Sequence, residues 1–212
     1  MDGNKNSVIR LLKYKTILLR FRILGFKRVF SENLADAAGF NSTQVRKDFS
    51  LFGISGYRRG GYQIDELLCK LNSILGKDVL QKAVIVGAGH IGTALMKYKS
   101  FESEGIQITA AFDVDPEKIN REGNIPVYPF DELKDFVRNN NIKIGILAVT
   151  EVFAQEVFDT MVSAGIKGVL NFAPFKLKGS SETFINNVDL LGELEKVIYF
   201  VKSAESRLKG SK

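Results

Sequence analysis

One loop of the chain has the glycine spacing that grips a pyrophosphate: Gly87-Ala88-Gly89-His90-Ile91-Gly92. Val84-Ile85-Val86 leads into it as a strand and Thr93-Ala94-Leu95-Met96 follows as a helix, the order that lifts such a pattern above chance. Gly87 permits the tight turn and Gly89 lets phosphate approach the backbone. Gly92 lets helix and strand pack closely, with the phosphates at the helix N-terminus. Asp113 lies 21 residues after Gly92, at the end of the next apolar run. A carboxylate there accepts hydrogen bonds from adenosine ribose hydroxyls and repels a 2′-phosphate. The pattern therefore predicts NAD(H) rather than NADP(H). His90, the only histidine, is expected to be a bystander in the loop, with contact to a phosphate as the alternative.

A second constellation suits a polyanion. In a helix predicted over about 43–51, Val45 and Phe49 point together into a core, leaving Gln44, Arg46, Lys47 and Ser50 on the outer face. Long donors in front of an apolar anchor are what a recognition helix needs to reach phosphates and base edges in the major groove. Arg46 is the best candidate for a bidentate contact to guanine, and Lys47 suits base or phosphate. Asp48 would be repelled by DNA and is expected to hold an arginine or a cap. Residues 56–62 predict a tight β-hairpin with Arg58 and Arg59 at its tip, shaped for a narrow minor groove, and Tyr62 behind. The net charge of +6 agrees with this placement. Residues 1–80 hold 14 Lys and Arg against 7 Asp and Glu, whereas residues 81–212 hold 16 against 17.

Other chemistries find little to work with. A single cysteine, Cys69, excludes an intrachain disulfide and is expected to be a filler in an amphipathic helix. No metal-ligand cluster is evident, no Ser–His–Asp set has a free histidine, and no catalytic residue is assigned. No apolar run approaches the roughly 18 residues that span a membrane, and the N-terminus lacks the apolar core of a secretory signal. A cytoplasmic location is the expectation.

These residues must be positioned by an α/β chain in three parts. Residues 1–78 predict a winged helix-turn-helix: a helix over 8–24, a short helix capped by Ser31, the helix near 43–51 opened by an Asn41/Gln44 capping box, the hairpin, and a helix from Ile64 to Leu75. Residues 79–189 predict a Rossmann-like domain with a parallel sheet. Near-continuous apolar runs at 82–86, 108–112, 143–149 and 167–172 alternate there with helical patterns, one of them stopped at Gly165. Residues 190–212 predict an amphipathic helix and tail, with Leu190, Leu191, Leu194, Val197, Ile198 and Val201 on one face.

Taken together, QVRKDFSLFG (44–53), GGY (60–62), VGAGHIGTAL (86–95), AAFDVDPEKI (110–119), AGIKGVLNFAP (164–174) and NVDL (187–190) resemble the Rex family of redox-sensing transcriptional repressors. The resemblance runs from Arg10 to Phe200. It implies a homodimer on a double-stranded DNA operator, with NAD(H) in the Rossmann domain and the C-terminal helix exchanged between subunits. In the family, NADH rearranges the dimer and releases DNA, while NAD+ is compatible with binding. By position, the resemblance makes Tyr98 and Asp189 members of the switch. It puts Asn171 and Phe172 over the sheet's carboxyl edge, where ligands of such folds bind. Five positions depart from the family pattern. Thr16, Thr93 and Thr150 replace an arginine, an arginine and a proline, and Tyr57 with Arg59 alters the wing. Two other classes stay open: an NAD-dependent oxidoreductase, and a DNA-binding scaffold indifferent to NAD(H) or bound to another adenine ligand such as coenzyme A.

Overall fold

The computed structural model describes residues 2–57 and 60–209. The chain divides into two compact units, residues 1–79 and 80–212.

In the first unit, helix α1 (Asp2–Ile23) ends where Gly25 adopts a φ of 86°. It starts earlier than the apolar spacing suggested and buries a narrower stripe. Leu11, Tyr14, Ile17 and Leu18 go inside, whereas Leu12 and Leu24 face solvent. After strand β1 (Arg28–Val29) come α2 (Ser31–Ala38) and α3 (Ser42–Leu51), separated by Gly39 in the left-handed region. Ser31 does not cap α2. It is the first helical residue, the cap position falls on Phe30, and its hydroxyl turns to Glu32 and Arg46. The capping box is half made: Asn41 Oδ1 accepts from the Gln44 N–H at 2.8 Å, but the Gln44 side chain turns inward to Asp48 instead of back to Asn41.

The wing differs from a free-standing hairpin. Strand β2 (Tyr62–Gln63) pairs antiparallel with β1, and Tyr57 forms a bridge with Gly61. The sheet thus recruits residues 28–29, which carry no strand signal of their own. Arg58 and Arg59 lie outside the described residues. Helix α4 (Ile64–Ile74) closes the unit, contributing Ile64, Leu67, Leu68 and Leu71 to the core. Cys69 is exposed on its outer face, not a filler of the core.

The second unit is a six-stranded parallel sheet. It is built from β3 (Gln81–Val86), β4 (Ile106–Asp113), β5 (Val127–Pro129), β6 (Ile144–Leu147), β7 (Gly168–Asn171) and β8 (Phe184–Asn187). The spatial order β5-β4-β3-β6-β7-β8 reverses direction between β3 and β6, as in dinucleotide-binding sheets. Successive residues of β3 serve opposite faces. Val84 and Val86 pack beneath α7 (Leu133–Asn139) and α8 (Glu151–Ala164), while Ala83 and Ile85 face α5 (His90–Met96) and α6 (Ser100–Ser103). Burial on both faces is why the four central strands read as unbroken apolar runs. The two edge strands carry no such run, because β5 contains a proline and β8 ends in two asparagines.

Helix α9 (Leu190–Lys209) is different from every other long helix here. Leu190, Leu191, Leu194, Val197, Ile198, Phe200 and Val201 are all more than half exposed. Among the described residues its apolar stripe is left largely uncovered.

Candidate DNA-reading and nucleotide-binding sites

Helix α3 is locked from behind by a carboxylate. Asp48, 2 % exposed, accepts from Arg10 Nε and Nη2 at 2.6 Å each, from the Tyr14 hydroxyl at 3.0 Å and from Gln44 Nε2 at 3.0 Å. Burial opposes ionisation of Asp48. The donors from Arg10, Tyr14 and Gln44 outweigh it and hold the carboxyl below its ordinary value. Burial, reinforced by the Asp48 charge, pushes the Tyr14 phenol up. The expectation that Asp48 holds an arginine is met by Arg10, a residue of α1 that spacing alone could not have paired with it.

The outward residues are not equivalent. Arg46 Nη1 donates to Ser31 Oγ at 3.0 Å and to Glu32 Oε1 at 2.9 Å, so its guanidinium is braced by α2. Gln44 is committed to Asp48. Lys47 and Ser50 stand exposed, without side-chain partners among the described residues. Tyr62 packs edge-on against Phe49 at 5.0 Å between ring centroids, which makes its ring part of the core wall.

In the second unit the sheet reversal opens a cleft of about 420 Å³. Gly87, Gly89, Asp113 and Thr150 line it together with Val114, Phe130, Phe153 and Glu156. Gly87 has a φ of 101°, and a Cβ there would collide with the Ala148 carbonyl. A Cβ on Gly92 would collide with the Gly87 carbonyl. Both glycines are therefore required by the chain itself. Gly89 is not, since a Cβ there would meet nothing within 4 Å; the space it leaves open suits a ligand's phosphates. Ala88 is buried, with its N–H turned to Asp113, while Ile91 and His90 project from the start of α5 with substantial exposure.

Asp113 is tied into the chain itself. Its Oδ2 accepts from the Ala88 N–H at 2.7 Å and its Oδ1 from the Asp115 N–H at 3.0 Å, and Lys118 Nζ stands 3.3 Å from Oδ2. Burial opposes its charge, but the backbone donors and Lys118 prevail and keep its carboxyl below the usual range. The aspartate thus fastens the glycine loop to the end of β4. Lys118 was missed in the sequence, although it stands five residues after Asp113.

Other positions serve structure first. Asn171 is fully buried: its Nδ2 donates to the Phe175 carbonyl and to Asn187 Oδ1, and its Oδ1 accepts from the Ala173 N–H. Phe172 packs with the Ile85 face of the sheet. Neither is among the residues that line the cleft. Tyr98 is exposed, stacks edge-on with Phe101 and borders a separate hollow with Met96, Ile106 and Ile108. Asp189 Oδ1 accepts from the Gly192 N–H at 2.9 Å, the hydrogen bond of a helix cap on α9. Thr16 is exposed on α1 and donates its hydroxyl to the Leu12 carbonyl. No group of three metal-ligating side chains occurs among the described residues, and no described helix is long and apolar enough to cross a membrane.

A winged helix-turn-helix joined to a dinucleotide-type parallel sheet defines a class: DNA-binding regulators that carry a nucleotide-binding unit. Residues 5–50 match the model described as "Putative DNA-binding protein N-terminus" and residues 78–175 match a "CoA binding domain". The redox-sensing transcriptional repressor Rex of Oenococcus oeni is 41% identical over 203 residues, covering 93% of this chain and 92% of that one. The repressor of the same name in Carboxydothermus hydrogenoformans is 39% identical, covering 92% and 95%. The chain belongs to the Rex family of redox-sensing transcriptional repressors. A crystal structure of RSP, a Rex-family repressor, in complex with NAD+ and operator DNA superposes with a TM-score of 0.89 at 33% identity, over 97% of this chain and 96% of that one.

Proposed function

We propose that this protein represses transcription as a homodimer that reads the NADH/NAD+ ratio, holding a pseudopalindromic operator with NAD+ and leaving it when NADH takes the cleft. The observation that carries the reading is the likeness, over nearly the full chain, to a repressor crystallised with NAD+ and operator DNA. Residues 1–78 would read DNA, residues 79–189 would hold NAD(H), and residues 190–212 would join two copies. Lys47 and Ser50, with Arg46 braced by Glu32, face the major groove, and Arg58 and Arg59 reach the minor groove from the wing. Gly87, Gly89 and Gly92 cradle the pyrophosphate at the start of α5 while Asp113 and Lys118 meet the adenosine ribose. The exposed stripe of α9 supports dimerisation through that helix, since an apolar surface this extended on a free monomer is a liability. The protein acts in the cytoplasm, uses no metal and turns over no substrate.

Two recognition helices must lie about 34–36 Å apart or a multiple of that to enter successive major grooves. Nucleotide exchange acts by changing that spacing, and a coupling of about 1–3 kcal/mol would alter operator affinity about 5–150-fold. The test is fluorescence anisotropy of a labelled operator, selected from random DNA, titrated with NADH and with NAD+ at fixed salt. Release by NADH alone is the expected result.

A specific residue favours a second reading, a regulator whose nucleotide response is altered. Thr16 offers a neutral hydroxyl already bonded to its own helix, where the family resemblance expects an arginine to engage the switch aspartate. Tight operator binding unmoved by either nucleotide would select this reading.

A further inference from the structure

Three ionisable side chains line the nucleotide cleft: Asp113, Lys118 and Glu156. Two of them hold each other, because Lys118 Nζ lies 3.3 Å from Asp113 Oδ2 while the Asp113 oxygens also take the N–H groups of Ala88 and Asp115. The third is alone. The Glu156 side chain has no hydrogen bond or ion pair among the described residues; the Thr160 hydroxyl reaches its backbone carbonyl, not its carboxylate.

Glu156 stands on α8 one turn beyond Phe153, and the cleft around it is apolar: Val114 and Phe130 on the β4–β5 side, Phe153 and Val157 on its own helix. Water solvates the carboxylate while the cleft is open. A ligand that fills the cleft strips that water. It then leaves the charge unpaired, at a cost, unless it brings a donor of its own.

The ligand class follows from where Asp113 stands. On the NAD(H) reading, on which this inference rests, Asp113 marks the adenosine ribose, and the apolar side chains that line the rest of the cleft take the attached base. The edge of adenine carries one exocyclic donor, its amino group. We infer that Glu156 accepts a hydrogen bond from that amino group and is the residue that selects adenine at this site. Hypoxanthine, with a carbonyl oxygen in place of the amine, would turn an acceptor toward the carboxylate and be rejected.

The experiment compares NADH with reduced nicotinamide hypoxanthine dinucleotide on the full-length protein, following the fluorescence of the reduced nicotinamide that both share. Wild type should bind NADH about ten- to a hundredfold more tightly, the range of a hydrogen bond to a charged partner. E156A should weaken NADH and bring the ratio close to one. E156Q, whose amide carbonyl still accepts, should keep part of the preference. A wild-type ratio near one, or a preference that survives in E156A, overturns the role of Glu156 while leaving nucleotide binding intact. Failure of wild type to bind NADH at all overturns the nucleotide reading and this inference with it.

Discussion

Helices α3 and α9 are treated in opposite ways by their own chain. Helix α3 is held on both sides: Asp48 behind it by Arg10, Tyr14 and Gln44, and Arg46 in front by Ser31 and Glu32. Helix α9 has a cap from Asp189 and little else, with its leucines and valines in solvent. The contrast separates two kinds of readiness. The DNA-reading surface is organised within one copy, whereas the carboxyl-terminal helix is unfinished until something covers it. On the proposed reading, a repressor that needs two recognition helices at a set spacing would put its adjustable part in the second kind of element.

The largest effect is expected at α9. Leu194→Asp combined with Ile198→Asp should separate the subunits and, by removing bivalent contact, weaken operator binding about 10²–10⁴-fold, measured by anisotropy at fixed salt. Operator affinity unchanged in that variant would mean that α9 contributes nothing to DNA binding.

Next comes Asp48→Asn, which leaves Arg10 facing a neutral group and should destabilise the first unit by about 3 kcal/mol in chemical denaturation. The same residue sets a pH dependence. Its folded value lies below the unfolded one, so its stabilisation is present at neutral pH. It is lost as pH falls below about 4 toward the folded value. A denaturation midpoint flat through that range would show that the clamp contributes nothing.

Lys47→Ala should act on DNA alone. Expected are a loss of about 1–3 kcal/mol if it meets a base edge, or a salt slope smaller by about one if it meets a phosphate, with unchanged thermal stability. The smallest effect belongs to Glu32→Gln. Freed from its brace, Arg46 should bind any DNA slightly better but discriminate less, so the ratio of operator to random-sequence affinity falls a few-fold. An unchanged ratio would make the brace incidental.

Much of this was legible in the residues because local chemistry dictated it. The glycine loop, Asp113 and the four central strands follow from φ requirements and two-sided burial, which act within a few residues. The parts that were illegible depend on distant partners. Arg10 and Asp48 are far apart in sequence and meet only when α1 packs on α3. Strand β1 exists because residues 62–63 pair with it. The bonds that Asn171 makes were equally hidden, since its amide meets Asn187 only once β7 and β8 lie side by side. Glu156 gave no signal, since a single carboxylate on a helix acquires meaning only from the cleft it faces.

Sedimentation equilibrium of the full chain against one ended after Asp189 tests most directly whether α9 is completed by a second copy. The prediction is a dimer for the full chain and a monomer for the shortened one at the same concentration. A shortened protein that remains a tight dimer would contradict it.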